Sequence, residues 1–145
     1  MARFFTGFLT ALVGSVVANL IVLFVLGPAV TNPALPLHAL SVMPVAMLTA
    51  IGVVGATIVY AILRAFMKNP NKVFFWISVV VLIVSFIPDY MIIGMKSGPF
   101  AGGDVASAAT LALMHVVAAV VVVGALTKLW GPRMMKMMAT TPIAA

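Results

Sequence analysis

The chain has 145 residues, 65% of them hydrophobic and 7% charged, with eight Lys or Arg, two acids and no Cys. A soluble domain carries about 25% charged residues, so a water-exposed globule is excluded. The net charge of +6 reflects missing acids, and the bases sit at segment ends rather than on one face, which excludes a nucleic-acid interface. Without Cys there is no disulfide, no thiolate metal site and no thiol nucleophile.

The first apolar stretch runs from about Phe4 to Leu26. It has one leading Arg and a small-residue pattern at Val16-Val17-Ala18, but its apolar run is too long for a signal-peptide core. It is read as a retained helix. The second stretch covers about Ser41 to Leu63, the third about Val73 to Gly94 and the fourth about Val105 to Thr127. At a rise of about 1.5 Å per residue each spans roughly 33 Å, enough for a hydrocarbon core of about 30 Å. Val-rich runs such as VVVLIV favour strands in water, but in lipid the backbone must bond within its own segment. The expected fold is all-α: one four-helix transmembrane domain over residues 1–130, with residues 131–145 as a separate tail.

Orientation follows from the bases. Arg3, Arg64, Lys68, Lys72, Lys128, Arg133 and Lys136 fall on one side of the segments, and only Lys96 falls on the other. The positive-inside rule predicts both termini in the cytoplasm. The bases there suit anionic lipid headgroups. The outer loops are then Gly27–Leu40 and Met95–Asp104, both punctuated by Pro and Gly. The middle loop, MKNPNK, reads as a tight cytoplasmic turn that packs helices 2 and 3 antiparallel. No internal repeat supports an inverted-repeat transporter plan.

Helices in lipid associate through small residues. Helix 1 offers Gly7, Ala11, Gly14 and Ala18, helix 2 Thr49, Gly52 and Ala56, and helix 4 Ala108, Ala112, Ala118 and Ala119 around His115. These stripes serve contacts within one bundle or self-association.

The intramembrane polar residues share a depth. Counting about 1.5 Å per residue from the outer ends, Asn19 and Asp89 lie roughly 8–10 Å deep, and Thr49, Ser85 and His115 roughly 12–15 Å. An ionisable group within a span is a functional-site hypothesis by default, which singles out Asp89. Pro88 removes a helix hydrogen bond beside it, so a kink is expected there. The structural reading leaves Asp89 hydrated near the interface, or pairs it with Lys96 or a backbone donor. His115 is read as a helix-holding group bonded to Ser85, Asn19 or Thr49. The functional readings are a cofactor ligand or a proton relay with Asp89 across an axial offset of roughly 7 Å, by direct contact or through a water. A bis-His haem using His38 fails because His38 lies near the outer loop while His115 is deep. The tail's Met134, Met135, Met137 and Met138 could bind Cu(I) but lack neighbouring Cys or His. An amphipathic contact with the inner leaflet is preferred. No cofactor, metal site or catalytic set is expected.

FFWISVVVLIVSFIPD followed by AATLALMHVVAAVVVV resembles a family of small four-pass bacterial membrane proteins known only as a domain of unknown function. The resemblance rests on the aromatic start of helix 3 (Phe74–Trp76), Ser85 near its outer end, and Ala112–His115 in helix 4. It implies a four-helix fold and a bacterial cytoplasmic membrane, and no activity.

Three functions fit this reading. The first is a non-catalytic accessory or scaffold subunit of a larger membrane assembly, or a self-associating bundle. The second is a small transporter, channel or proton-coupled carrier using Asp89, His115 and Asn19. The third is a lipid, quinone or pigment site between helices.

Overall fold

In a computed structural model the described residues are 2–30, 38–98 and 101–129. Four helices account for most of them: α1 (Ala2–Val30), α2 (Val42–Phe66), α3 (Pro70–Met91) and α4 (Val105–Leu129). All four are long and apolar enough to cross a membrane, and the chain is a multi-pass helical membrane protein. Large apolar side chains such as Phe24, Val25, Ile51, Phe75 and Val120 face outward on all four, as lipid-facing surfaces require. Met134, Met135, Met137 and Met138 fall outside the described residues.

The helix limits differ from the sequence expectation, and at the start of α3 the cause is a Pro. Helix α1 continues past Leu26 through Gly27 and Pro28 to Val30. Helix α3 begins at Pro70, inside the expected loop, because Pro suits the first helical turn, where an N–H has no intrahelical acceptor. The α2–α3 connection shortens to residues 67–69, and the Met67 N–H closes α2 on the Leu63 carbonyl at 2.8 Å. Helix α3 runs through Pro88 and ends at Met91, so Asp89 sits in its last turn. A short 3-10 turn, His38–Leu40, leads into α2.

Helix α1 buries one residue in every four: Gly7, Ala11, Ser15, Asn19, Leu23 and Gly27. That is the i, i+4 ridge of a helix packed closely on its neighbours. Helices α1 and α4 form the most extensive pair, with α2 on α1 and α3 on α4. Gly14 belongs to this seam, since a Cβ there would lie 3.1 Å from Val121 Cγ1. Ala18 and Ala112 are half-buried. Gly52 behaves differently. A Cβ on it would meet nothing within 4 Å, and the same holds for Gly55. Neither is a close-approach point within the monomer.

The tight turn does not bring α2 and α3 together along their length. They meet chiefly near the turn, where the rings of Tyr60 and Phe74 pack tilted at 52° with centroids 4.9 Å apart and both are fully buried. The Tyr60 hydroxyl donates to Asn71 Oδ1 at 2.5 Å. Further from the turn the two helices leave a gap, because each packs on a different partner, α2 on α1 and α3 on α4.

The α3–α4 connection is a compact loop. Gly94, Gly98 and Gly102 all have positive φ, which Gly adopts without steric cost. The Gly94 N–H reaches the Gly103 carbonyl at 2.9 Å and the Gly102 N–H the Met95 carbonyl at 3.0 Å. Gly103 has no room for a side chain: a Cβ would come within 2.5 Å of the Ile92 carbonyl oxygen. Asp104 then caps α4, its Oδ1 accepting from the Ser107 N–H at 2.7 Å.

Candidate functional site

Most hydroxyls inside the spans are consumed by their own helices. Thr57 donates to the Val53 carbonyl, Ser78 to Phe74, Ser85 to Leu82, Thr110 to Ala106 and Thr127 to Val123. Such back-bonding hides a hydroxyl from lipid without any tertiary partner. Asn19, Asp89 and His115 cannot be satisfied so simply, and they make contacts between helices.

Asn19, on α1, donates from Nδ2 to Thr49 Oγ1 on α2 at 3.0 Å. Asp89, on α3, places Oδ2 3.0 Å from Nδ1 of His115 on α4. The contact is direct, with no bridging water needed between the two side chains. Side chains reaching toward each other close the axial offset that a count along the helices leaves open. Ser85, Asn19 and Thr49 are not the partners of His115, since each is engaged as above. Nor does Asp89 rely on Lys96.

The same Nδ1 lies 2.9 Å from the Leu111 carbonyl, one turn back on α4. Two acceptors flank this one nitrogen, so the hydrogen of a neutral ring belongs on Nδ1. The aligned bond goes to Leu111. Asp89 Oδ2 is left in close contact with the ring but without an aligned hydrogen bond, and Asn19 Oδ1 also has none. Both residues are deeply buried, at 4% exposure for Asn19 and 6% for Asp89. An unmet acceptor at that depth costs roughly 1–3 kcal/mol, more for a charged group.

All five polar residues singled out by depth border one cavity. It has a volume of about 590 Å³, and Asn19, Thr49, Ser85, Asp89 and His115 all line it. This is the gap between α2 and α3, floored by α4 through Met114, Ala118, Ala119 and Val122. Gly52, Gly55 and Ala56 form part of its α2 wall. Their missing side chains explain why the space is empty. Its lining is overwhelmingly apolar, and the polar groups gather at the end nearest the α3–α4 loop. Phe74 lies at the other end, roughly 22 Å away along α3 at about 1.5 Å per residue. The size falls in the range of about 300–1,000 Å³ typical of small-molecule sites.

Sequence reasoning did not find the Tyr60–Asn71 bond or the part of the Leu111 carbonyl in fixing the His115 tautomer. A signal existed for the first: a Tyr within a span needs a partner for its hydroxyl, and Asn71 lies in the turn that follows. None existed for the second. Among the described residues no cluster of three or more metal-ligating side chains forms.

The sequence matches the model of one protein family, described as a family of unknown function (DUF6069), over residues 1–130. No curated protein and no solved structure matches the chain.

Proposed function

The chain belongs to this family of unknown function, and we propose from its own geometry that it is a non-catalytic membrane protein binding a lipophilic small molecule between α2 and α3. The observation that carries this reading is the coincidence of an apolar groove with a cluster of polar residues at one end, Asn19, Thr49, Asp89 and His115. The apolar length suits an acyl or polyprenyl-like body, and the polar end suits a head group. The distribution of Lys and Arg supports an orientation with both termini in the cytoplasm. In that orientation the polar end of the groove lies in the outer half of the bilayer.

The experiment is mass spectrometry of small molecules retained by the purified chain and by Gly52→Leu, which fills the groove. A species enriched over the bulk membrane in the wild type and lost from Gly52→Leu is the expected result. Retained lipid of bulk composition in both proteins would sink the reading.

A second reading, the accessory or self-associating subunit, has its own observation. Gly52 and Gly55 leave an open strip on α2 with nothing within 4 Å of either Cβ position, and small residues let a neighbouring helix approach closely in lipid. Native electrophoresis with crosslinking in mild detergent tests it. A monomer under all conditions, without a copurifying membrane protein, counts against it.

A further inference from the structure

The two ring nitrogens of His115 have different surroundings. Nδ1 is occupied: Asp89 Oδ2 lies 3.0 Å away and the Leu111 carbonyl 2.9 Å. Both are acceptors, so Nδ1 carries a hydrogen whether the ring is neutral or charged. Nε2 has no partner among the described residues, and the side chain, 42% exposed, lines the groove. Asp89 Oδ2, by contrast, is buried against the ring. A ligand head therefore meets the imidazole rather than that oxygen, and the ring atom that a proton changes is Nε2.

Spare donors stand at the same end. Thr49 Oγ1 accepts from Asn19 and keeps its own hydrogen, and Asn19 Nδ2 keeps its second. Few charges surround His115. Asp89 on α3 is the only acid within the four helices, and α1 and α2 bring no titratable side chain to the groove wall. Tyr90, next to Asp89, is 76% exposed. Lys96, Asp104 and His38 are exposed outside the groove. A proton added at Nε2 turns the ring's free edge into one more donor. It also sets an imidazolium against Asp89, the paired charge that a buried carboxylate needs.

We propose that the groove binds a lipophile through a neutral carbonyl oxygen and takes up one proton as it does so, His115 donating to that oxygen from Nε2 and Thr49 from its hydroxyl. This rests on the groove being a ligand site and names the chemical class of that ligand: an ester, ketone or quinone. The step forms one N–H bond at Nε2, with the proton drawn from solvent; nothing is oxidised and no group leaves. A carbonyl oxygen has two lone pairs and no hydrogen to give. Opposite a neutral ring it would face the Nε2 lone pair. Opposite the imidazolium it meets a donor, and a hydrogen bond to an ionised partner is roughly twice as strong as a neutral one. The imidazolium and the Asp89 carboxylate together carry no net charge. A neutral head keeps that balance, whereas an anionic head would add an unpaired charge to an apolar wall.

The test uses the full chain with His38→Gln, which leaves His115 as its only His, isotope-labelled at nitrogen in a neutral detergent. The nitrogen shifts of the ring report its protonation state. At about pH 8, where an ordinary imidazole is neutral, methyl dodecanoate should move the His115 signals toward the imidazolium. Pentadecane, of similar length but without a carbonyl, should leave them in place. Ester affinity should fall roughly tenfold or more from about pH 5 to about pH 8, and His115→Phe should bind the ester weakly and equally at both. Should His115→Phe fail to fold, the His38→Gln titration decides alone. A ring that stays neutral with the ester bound, or an ester affinity equal to the alkane's at both pH values, overturns the proposal. If native mass spectrometry then shows both ligands lost from Gly52→Leu, the groove still binds lipophiles and only the carbonyl assignment fails. If Gly52→Leu loses neither, the groove reading fails with it. Two sources of the carbonyl separate in the material that copurifies with the wild type and not with Gly52→Leu: phospholipid identifies a glycerolipid ester, and a species with redox-sensitive absorbance identifies a quinone.

Discussion

The hydroxyl of Tyr60 donates to Asn71 Oδ1 at 2.5 Å, tying α2 to α3 at the end of the groove opposite Asp89. The bond and the ring contact with Phe74 join, at this end, two helices that otherwise pack on different partners. Tyr60→Phe keeps the ring and loses the bond. Its expected cost is about 0.5–1.5 kcal/mol. Phe74→Ala opens a cavity in the same place and should cost about 3–5 kcal/mol. Reversible unfolding in mixed micelles orders the two, and an equal loss from both would show that the hydrogen bond, not the packing, holds the end closed.

Gly14 and Gly52 look alike in the sequence, each one member of a small-residue stripe. Their surroundings separate them. Gly14→Val drives a side chain into Val121, whose Cγ1 already lies 3.1 Å from the Cβ position, and should cost about 1–3 kcal/mol by overpacking. Gly52→Ala meets nothing and should be neutral or slightly stabilising. Thermal inactivation followed by size-exclusion chromatography measures both. A destabilised Gly52→Ala would indicate that α2 has a helix against it in the native assembly, the outcome that favours self-association.

This contrast marks how far the sequence carries. The number and class of the helices were legible because the bilayer imposes a length and an apolar composition that no soluble helix needs together. The depth of Asn19, Thr49, Ser85, Asp89 and His115 was legible too, since depth along a helix is a matter of counting. Which residues touch was not. An axial count cannot give the lateral reach of Asp89 and His115, so their 3.0 Å contact was out of reach. Nor can a tight turn reveal that α2 and α3 separate beyond Tyr60, because that depends on which helix each packs against.

Asn19 and Thr49 join α1 to α2 by one side-chain hydrogen bond of 3.0 Å. Asn19→Leu with Thr49→Val, taken as a double-mutant cycle, should give a coupling of about 0.6 kcal/mol and no more than about 1.7, the range found for hydrogen bonds between membrane helices. A zero coupling would mean that the Asn19 amide finds an equally good partner elsewhere.

Asp104 caps α4, and the Ser107 backbone N–H is the largest of the influences holding its carboxyl below the ordinary value of 3.8. A carboxyl lowered by folding adds stability that is fully present above its unfolded pKa and fades as pH falls through its folded one. The thermal midpoint of the wild type should therefore drop as pH is taken below 3.8. Asp104→Asn keeps a capping oxygen but does not titrate, and its profile should be flatter over the same range. Parallel profiles for the two proteins would remove Asp104 from the acid response.

The chain has no Cys, so single cysteines report topology without background. Asn69→Cys lies in the α2–α3 turn, and Ser97→Cys lies in the α3–α4 loop, at opposite ends of the bundle. With both termini in the cytoplasm, a membrane-impermeant maleimide added to intact cells should label Ser97→Cys and leave Asn69→Cys untouched until the membrane is opened. The reverse pattern would invert the chain, despite seven of its eight basic residues, and would turn the Asp89 end of the groove toward the cytoplasmic leaflet.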